Sequence, residues 1–426
     1  MLDNKITVQI GTYNANLQGH KGLPQNLVDW LQPSLTVSQF LANTRTAPDI
    51  VAIGFQELLP LQLGLTGLSK PVMKSRDNLI RSQLEAHAPN KERYVLIAKV
   101  VNVGIALLVY GRDDGVAKHV SHVQTQWTGC GPGWMGNKGA VGVRFKVTSA
   151  ALLHQSGGTS ETYTFVNAHL TAHLPKLENR IKDYRHIVQS LLFPEPLDEN
   201  SPSAPTGQPS NIYNTTHLFF FGDLNFRIQA PVGMTRDQLE AKIRSEEGRN
   251  ELRVHDQLSV TRNEGKVLTG LREGDFWRFQ CTYKYKLGHI DLYHEKRVPS
   301  WTDRILFTTA GDNPSDLSQS GITPLVYTPV PSYVGSDHKP VMALLQIPSP
   351  RIIEDGLATA PLLSSPPQYT NDPLWVWKRY IGKVLGWIVG WTWAIFWFVG
   401  AGNAVVGVFG SLLGMMGLAW WKNPKA

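Results

Sequence analysis

Residues 384–421 run for 38 positions without a single charged side chain. A helix needs only about 20 apolar residues to cross a bilayer's hydrocarbon core, and a segment apolar all round needs a partner surface to be buried in a soluble fold. Fifteen of the 38 are Leu, Ile, Phe or Val, against one strongly polar residue, Asn403. Each of those apolar residues is worth about −0.3 to −0.6 kcal/mol at a bilayer centre. The sequence therefore predicts that segment 374–426 anchors the chain in a membrane, as one tilted span or as a helical hairpin bent around residues 400–403. Lys378, Arg379 and Lys383 precede the stretch and Lys422 and Lys425 follow it, which favours a hairpin with both ends in the cytosol. Gly386/Gly390 and Gly410/Gly414 also have the small-xxx-small spacing of helix packing.

Setting the anchor apart changes the meaning of the charge. The formal net charge is +7, but residues 1–373 carry 36 Lys and Arg against 34 Asp and Glu. A nearly neutral body gives no electrostatic footprint for nucleic acid. Two cysteines are too few for a disulfide framework and fit a reducing compartment. The start, MLDNK, lacks an apolar leader. Residues 348–373 hold six prolines and read as a linker, so the expected organisation is a body over 1–347, a linker over 348–373 and a tail over 374–426.

Within the body, short β-branched and aromatic runs end in polar residues. KITVQIGTYN (5–14) reads as a strand delivering Asn14, and DIVAIGFQE (49–57) as one delivering Glu57. TYTFVNAHL (162–170) delivers Asn167 and His169; FFFGDLNFRI (219–228) delivers Asp223 and Asn225 after a turn at Gly222. DRILFT (303–308) starts at Asp303, and Asp337 and His338 stand just before a last apolar strand ending near 347. Residues 94–110 read as an interior hairpin, 73–87 and 174–191 as amphipathic helices, 27–41 as a helix broken by Pro33, and 194–214 as a surface loop. Thr235 and Gln238 form a capping box for a helix to about 249. So many polar strand ends point to one mouth between packed sheets. Glu57 is a hard oxygen ligand suited to Mg²⁺, Asp223 can accept a proton from water that Asn225 orients, and Asp303 can fix His338 as a donor to a phosphoryl oxygen. The glycine-rich run 129–142, with Asn137 and Lys138, suits an anion or a plain hairpin loop.

The motifs GTYNAN, FQE, NKGAVG, NAHLTAH, GDLNFRI, PSWTDRIL and GSDHKPV, in that order over about residues 5–347, resemble the inositol polyphosphate 5-phosphatases of the endonuclease/exonuclease/phosphatase superfamily. The resemblance implies a DNase I-like, four-layer α/β sandwich in which two mixed sheets are flanked by helices. It implies Asp223, Asn225, His338, Asp303 and His169 as catalytic residues, and Glu57, Asn14 and Asp337 around a Mg²⁺ ion. Asn137, Lys138, Tyr283, Lys284 and Lys296 are implied as substrate contacts, the last three against a 4-phosphate. The sequence departs at Thr302, Tyr13 and Ala140, where the family usually has Cys, Trp and Gly. With its apolar tail the chain is most similar to the fungal tail-anchored branch of the endoplasmic reticulum. That implies removal of the 5-phosphate from phosphatidylinositol 4,5-bisphosphate on the cytosolic face, with no obligate protein partner. A nuclease or sphingomyelinase-like phosphodiesterase, or a non-catalytic phosphoinositide tether, are the alternatives.

Overall fold

Alternation within residues 218–221 decides the layering. A strand sends successive side chains to opposite faces, and here Phe219 and Phe221 enter one buried cluster while Leu218 and Phe220 enter another. An apolar residue at every position therefore means a strand covered on both sides. The computed structural model describes residues 5–16, 47–148, 160–194, 208–348, 362–363, 369–400 and 403–422. The helix expected within 27–41, most of the 194–214 loop and most of the linker lie outside these.

Twelve strands make two six-stranded sheets. The first contains β1 (Thr7–Asn14), β2 (Ile50–Gln56), β3 (Tyr94–Asn102) and β4 (Ile105–Arg112); the second contains β5 (Val120–Gly129), β6 (Gly139–Thr148), β7 (Ser160–His169), β8 (His217–Asp223), β9 (Arg272–Glu273) and β10 (Asp303–Thr309). The chain then returns to the first sheet with β11 (Thr323–Pro329) and β12 (Val341–Gln346), giving the orders β11-β12-β1-β2-β4-β3 and β5-β6-β7-β8-β10-β9. Each sheet is mixed, with one parallel pair at its centre, β1/β2 and β7/β8.

Val8, Ile10, Ile50, Ala52, Phe165, Phe219, Phe221, Ile305 and Val341 fill the space between the sheets. On the outer face of the first sheet, Met73, Ile80 and Leu84 of the helix Ser69–His87 pack on Val51, Ile53 and Leu108. On the outer face of the second, Ile181, Tyr184 and Ile187 of the helix Leu177–Ser190 pack on Val166, Ala168 and Phe220. The layers are helix, sheet, sheet, helix, as the resemblance implies.

Two local expectations are corrected. The 94–110 hairpin exists, but only β4 is interior; β3 is an edge strand with Val95 and Lys99 exposed. The capping box at Thr235 forms, yet its helix stops at Arg244. Ser245 is extended and its Oγ accepts from Gly248 N at 3.0 Å, opening the separate helix Glu246–Leu252. A hydroxyl able to cap has restarted the helix.

The tail forms two helices, Trp375–Val399 and Ala404–Lys422. Asn403 caps the second, its Oδ1 accepting from Val405 N at 3.0 Å and Val406 N at 3.3 Å. Among the described residues one helix, Trp375–Val399, is long and apolar enough to cross a membrane. Its glycines do not serve packing within the tail alone. Gly382, Gly386 and Gly390 are the buried residues of this helix and lie on the body, where a Cβ at 382 would meet Trp134 O at 1.9 Å and one at 390 would meet Leu65 Cβ at 2.6 Å. Gly410 and Gly414, in contrast, face open space. Lys378 and Arg379 are likewise engaged near the body: Lys378 pairs with Asp372 at 2.7 Å, and the Arg379 guanidinium lies 5.1 Å from the Trp127 ring centre.

Candidate active site

The sheet registers bring the polar strand ends together. In the second sheet Asp223 pairs with His169 on one side and Asp303 on the other. In the first, Asn14 pairs with Gln56, and Glu57 follows. Asn14 Nδ2 then donates across the sheets to Asp223 Oδ2 at 2.9 Å. At the end of β8, Gly222 has φ +136°, and a Cβ there would sit 2.0 Å from Ala168 O. Only glycine allows that approach. Asn225 and Glu57 hold left-handed backbones, φ +58° and +49°, a conformation costing roughly 1–2 kcal/mol for a residue with a Cβ.

Asp303 is wholly buried, and three donors meet its Oδ2: Thr282 Oγ1 at 2.7 Å, Thr302 Oγ1 at 2.8 Å and His338 Nδ1 at 2.9 Å. The His338 ring is fixed further by backbone, since His338 N donates to Ser336 Oγ at 3.1 Å and Ser336 Oγ donates to Asn14 O at 2.7 Å. Its Nε2 faces Asp223 Oδ2 at 3.9 Å. Burial opposes a charge on His338, but Asp303 and Asp223 outweigh it and the imidazole is pushed up to about 9. Burial raises Asp303. Burial also resists ionisation of Asp223, yet His338, His169 and Lys138 hold it well below the usual carboxylate range. A dyad of this kind keeps a donor aimed at the mouth.

His169 Nε2 lies 3.3 Å from Asp223 Oδ2 and 3.8 Å from Glu57 Oε1, and hydrogen-bonds Lys138 Nζ. Burial lowers both Lys138 and His169 from their ordinary values. Glu57, Asn137, Lys138 and His169 line a cavity of about 160 Å³ with Leu59, Leu61, Val103 and Gly104. Tyr283 stacks near the dyad, its ring centre 4.5 Å from that of His338, with the Arg227 guanidinium 4.2 Å from the tyrosine ring. Lys284 Nζ pairs with Asp337 Oδ2 at 2.5 Å. Lys296 is exposed, its backbone N donating to His294 Nδ1 at 3.2 Å, and no described hydrogen bond or ion pair joins its side chain to the cluster. Asn225 Nδ2 donates to Leu170 O at 3.1 Å and its Oδ1 accepts from Arg227, so its amide is committed to holding the loop after Asp223.

The donor set fits a hard cation. Asp303 Oδ1 is buried without a hydrogen-bond partner, and the Glu57 side chain is 31% exposed at the cavity. Such oxygens suit a divalent ion that keeps several waters. Ligand atoms of Asp223, Asp303 and His338 also lie within 4.8 Å of one another. However, the facing oxygens of that triad are already used in the bonds above, which leaves Glu57 as the freest carboxylate.

The endonuclease/exonuclease/phosphatase family 2 model matches residues 11–344. The chain belongs to that family. Among curated relatives of this family 2 member, the type II inositol 1,4,5-trisphosphate 5-phosphatase of Mus musculus is 32% identical over 357 residues, 82% of this chain and 30% of its own length. The polyphosphatidylinositol phosphatase INP53 of Saccharomyces cerevisiae is 32% identical over 347 residues, 80% of this chain and 26% of its own. The chain thus spans less than a third of either relative. Among solved structures, the inositol polyphosphate 5-phosphatase domain of SPsynaptojanin, in complex with inositol (1,4)-bisphosphate and calcium ion, matches with TM-score 0.61 and 25% identity over 81% of this chain and 84% of that one. A Cimex nitrophorin matches with TM-score 0.53 and 18% identity over 81% and 99%. That second likeness concerns the fold alone, so for this family 2 member the chemistry is argued from side chains.

Thr282 and Arg227 are the site residues that sequence reasoning missed. Arg227 lies two positions after Asn225 in a motif already singled out, and that spacing was its one available signal. Thr282 had none.

Proposed function

We propose that this chain is a Mg²⁺-dependent phosphomonoesterase that removes the 5-phosphate of phosphatidylinositol 4,5-bisphosphate. In this reading residues 1–347 are the catalytic body, 348–373 a linker and 374–426 the anchor, placed in the endoplasmic reticulum membrane with the body in the cytosol. The observation that carries it is the convergence of Asp223, Asp303 and His338 from three separate segments, with Glu57 and His169 across the same mouth. Glu57, Asn14 and Asp337 would hold the cation, which when bound supplies positive charge against the phosphoryl oxygens.

The chain's own groups do the rest. His338, held by Asp303, donates to a phosphoryl oxygen; Asp223 accepts from the attacking water; Asn225 fixes the loop that presents Asp223. Asn137, Lys138 and His169 contact phosphate oxygens, and Tyr283, Lys284 and Lys296 read the 4-phosphate. The test is phosphate release by the full chain in phosphatidylcholine vesicles carrying phosphatidylinositol 4,5-bisphosphate, with Mg²⁺ and after chelation. Release that requires Mg²⁺ and yields phosphatidylinositol 4-phosphate is expected. Cleavage of abasic DNA or sphingomyelin in its place would overturn the reading.

A further inference from the structure

The glycine face of the helix Trp375–Val399 does not close flush on the body. Between them lies a groove of about 620 Å³, lined among others by Leu65, Val103 and Trp127 from the body and by Tyr380, Val384 and Trp387 from the helix. Its volume falls within the roughly 300–1,000 Å³ of sites that take a small organic ligand. The walls are mainly apolar, while Lys70 and Lys383, both exposed, stand on its border from opposite sides. Val103 lines both this groove and the catalytic cavity, and Gly136 of the groove directly precedes Asn137 of the cavity. The groove therefore neighbours the cavity, on the side where the apolar remainder of a molecule with its anionic head in the cavity could lie.

Resting on the phosphatase reading above, we propose that the groove between the tail helix and the body receives the acylglycerol part of a phosphoinositide, so that the anchor is also a wall of the substrate site. The two lysines suit the phosphodiester that joins headgroup to glycerol. The close approach at Gly382 and Gly390 gives the groove its width, because any larger side chain there would push the helix away from Trp134 and Leu65.

The test compares two soluble substrates with the full chain in phosphatidylcholine nanodiscs: dioctanoyl phosphatidylinositol 4,5-bisphosphate and its deacylated glycerophosphoinositol counterpart. Burial of even a few methylenes predicts a kcat/KM ratio favouring the acylated form by about tenfold or more. Val384→Trp, which fills the groove from the helix, should lower that ratio at least about fivefold, whereas Lys383→Glu, which reverses its border charge, should lower kcat/KM for both substrates alike because both keep the phosphodiester, with thermal unfolding showing that both variants are folded. A wild-type ratio near one, or a ratio that folded Val384→Trp leaves unchanged, overturns the inference while leaving headgroup hydrolysis standing. Absence of phosphate release from both substrates by the wild-type chain overturns the phosphatase reading itself.

Discussion

Asp303 and Arg304 are consecutive on β10 and both wholly buried, yet they sit in opposite kinds of surroundings. The Arg304 guanidinium is gripped twice by Glu273, at 2.6 and 2.7 Å, reaches Asp256 Oδ2 at 3.0 Å and lies 3.8 Å from the Phe276 ring centre. Burial works against its charge, but Asp256 and Glu273 more than compensate and raise it. Asp303 has all its donors on one oxygen, and the other is unpartnered. A buried cation enclosed by carboxylates holds a fold together. A buried carboxylate with an open oxygen, backed by a histidine at a mouth, is poised to act on something else.

This contrast predicts separable losses. Asp223→Asn, at the acting pole, should lower kcat/KM about 10³-fold while its urea unfolding midpoint barely moves; a variant that keeps full turnover would remove the acting pole from the comparison. Arg304→Met should do the reverse, costing about 3–5 kcal/mol of stability by leaving Asp256 without its cation and Glu273 with only Arg262, 3.6 Å away. Denaturant titration measures that loss, and the fraction still folded should retain its kcat. Thr282→Val removes one of three donors to Asp303 and should reduce kcat about tenfold, a change best seen in single-turnover rates. Lys284→Ala breaks a partly exposed pair and should raise KM by only about threefold, more for substrates with a 4-phosphate than without. Equal effects on both substrates would detach Lys284 from headgroup reading.

The acting pole was largely legible in the sequence and the holding pole was not. Asp223, Asp303, His169 and His338 lie at the ends of runs whose composition marks them as strands, so their position could be read from local pattern. The grip of Arg304 on Glu273 and Asp256, the hydroxyl of Thr282 on Asp303 and the pairing of Lys284 with Asp337 link segments 31, 48, 21 and 53 residues apart. No periodicity records such links, because they depend on how loops return over the sheet. The glycine spacing in the tail was visible, but its partner was not: 386 and 390 meet Leu65 of the body. Spacing identifies a smooth face without saying what rests on it.

One adjacency in the first sheet bears on when the protein can work. β1 lies between β2 and β12 and is hydrogen-bonded to both, and Ser336 reaches back 322 residues to Asn14 O. As the ribosome extends the chain from the amino end, Asn14 must wait for this final clasp before its surroundings are complete. By then residues 348–373 and, after them, the apolar segment are next to leave the exit tunnel, so on the function proposed above completion of the site and delivery to a bilayer fall close together in the life of each newly made molecule.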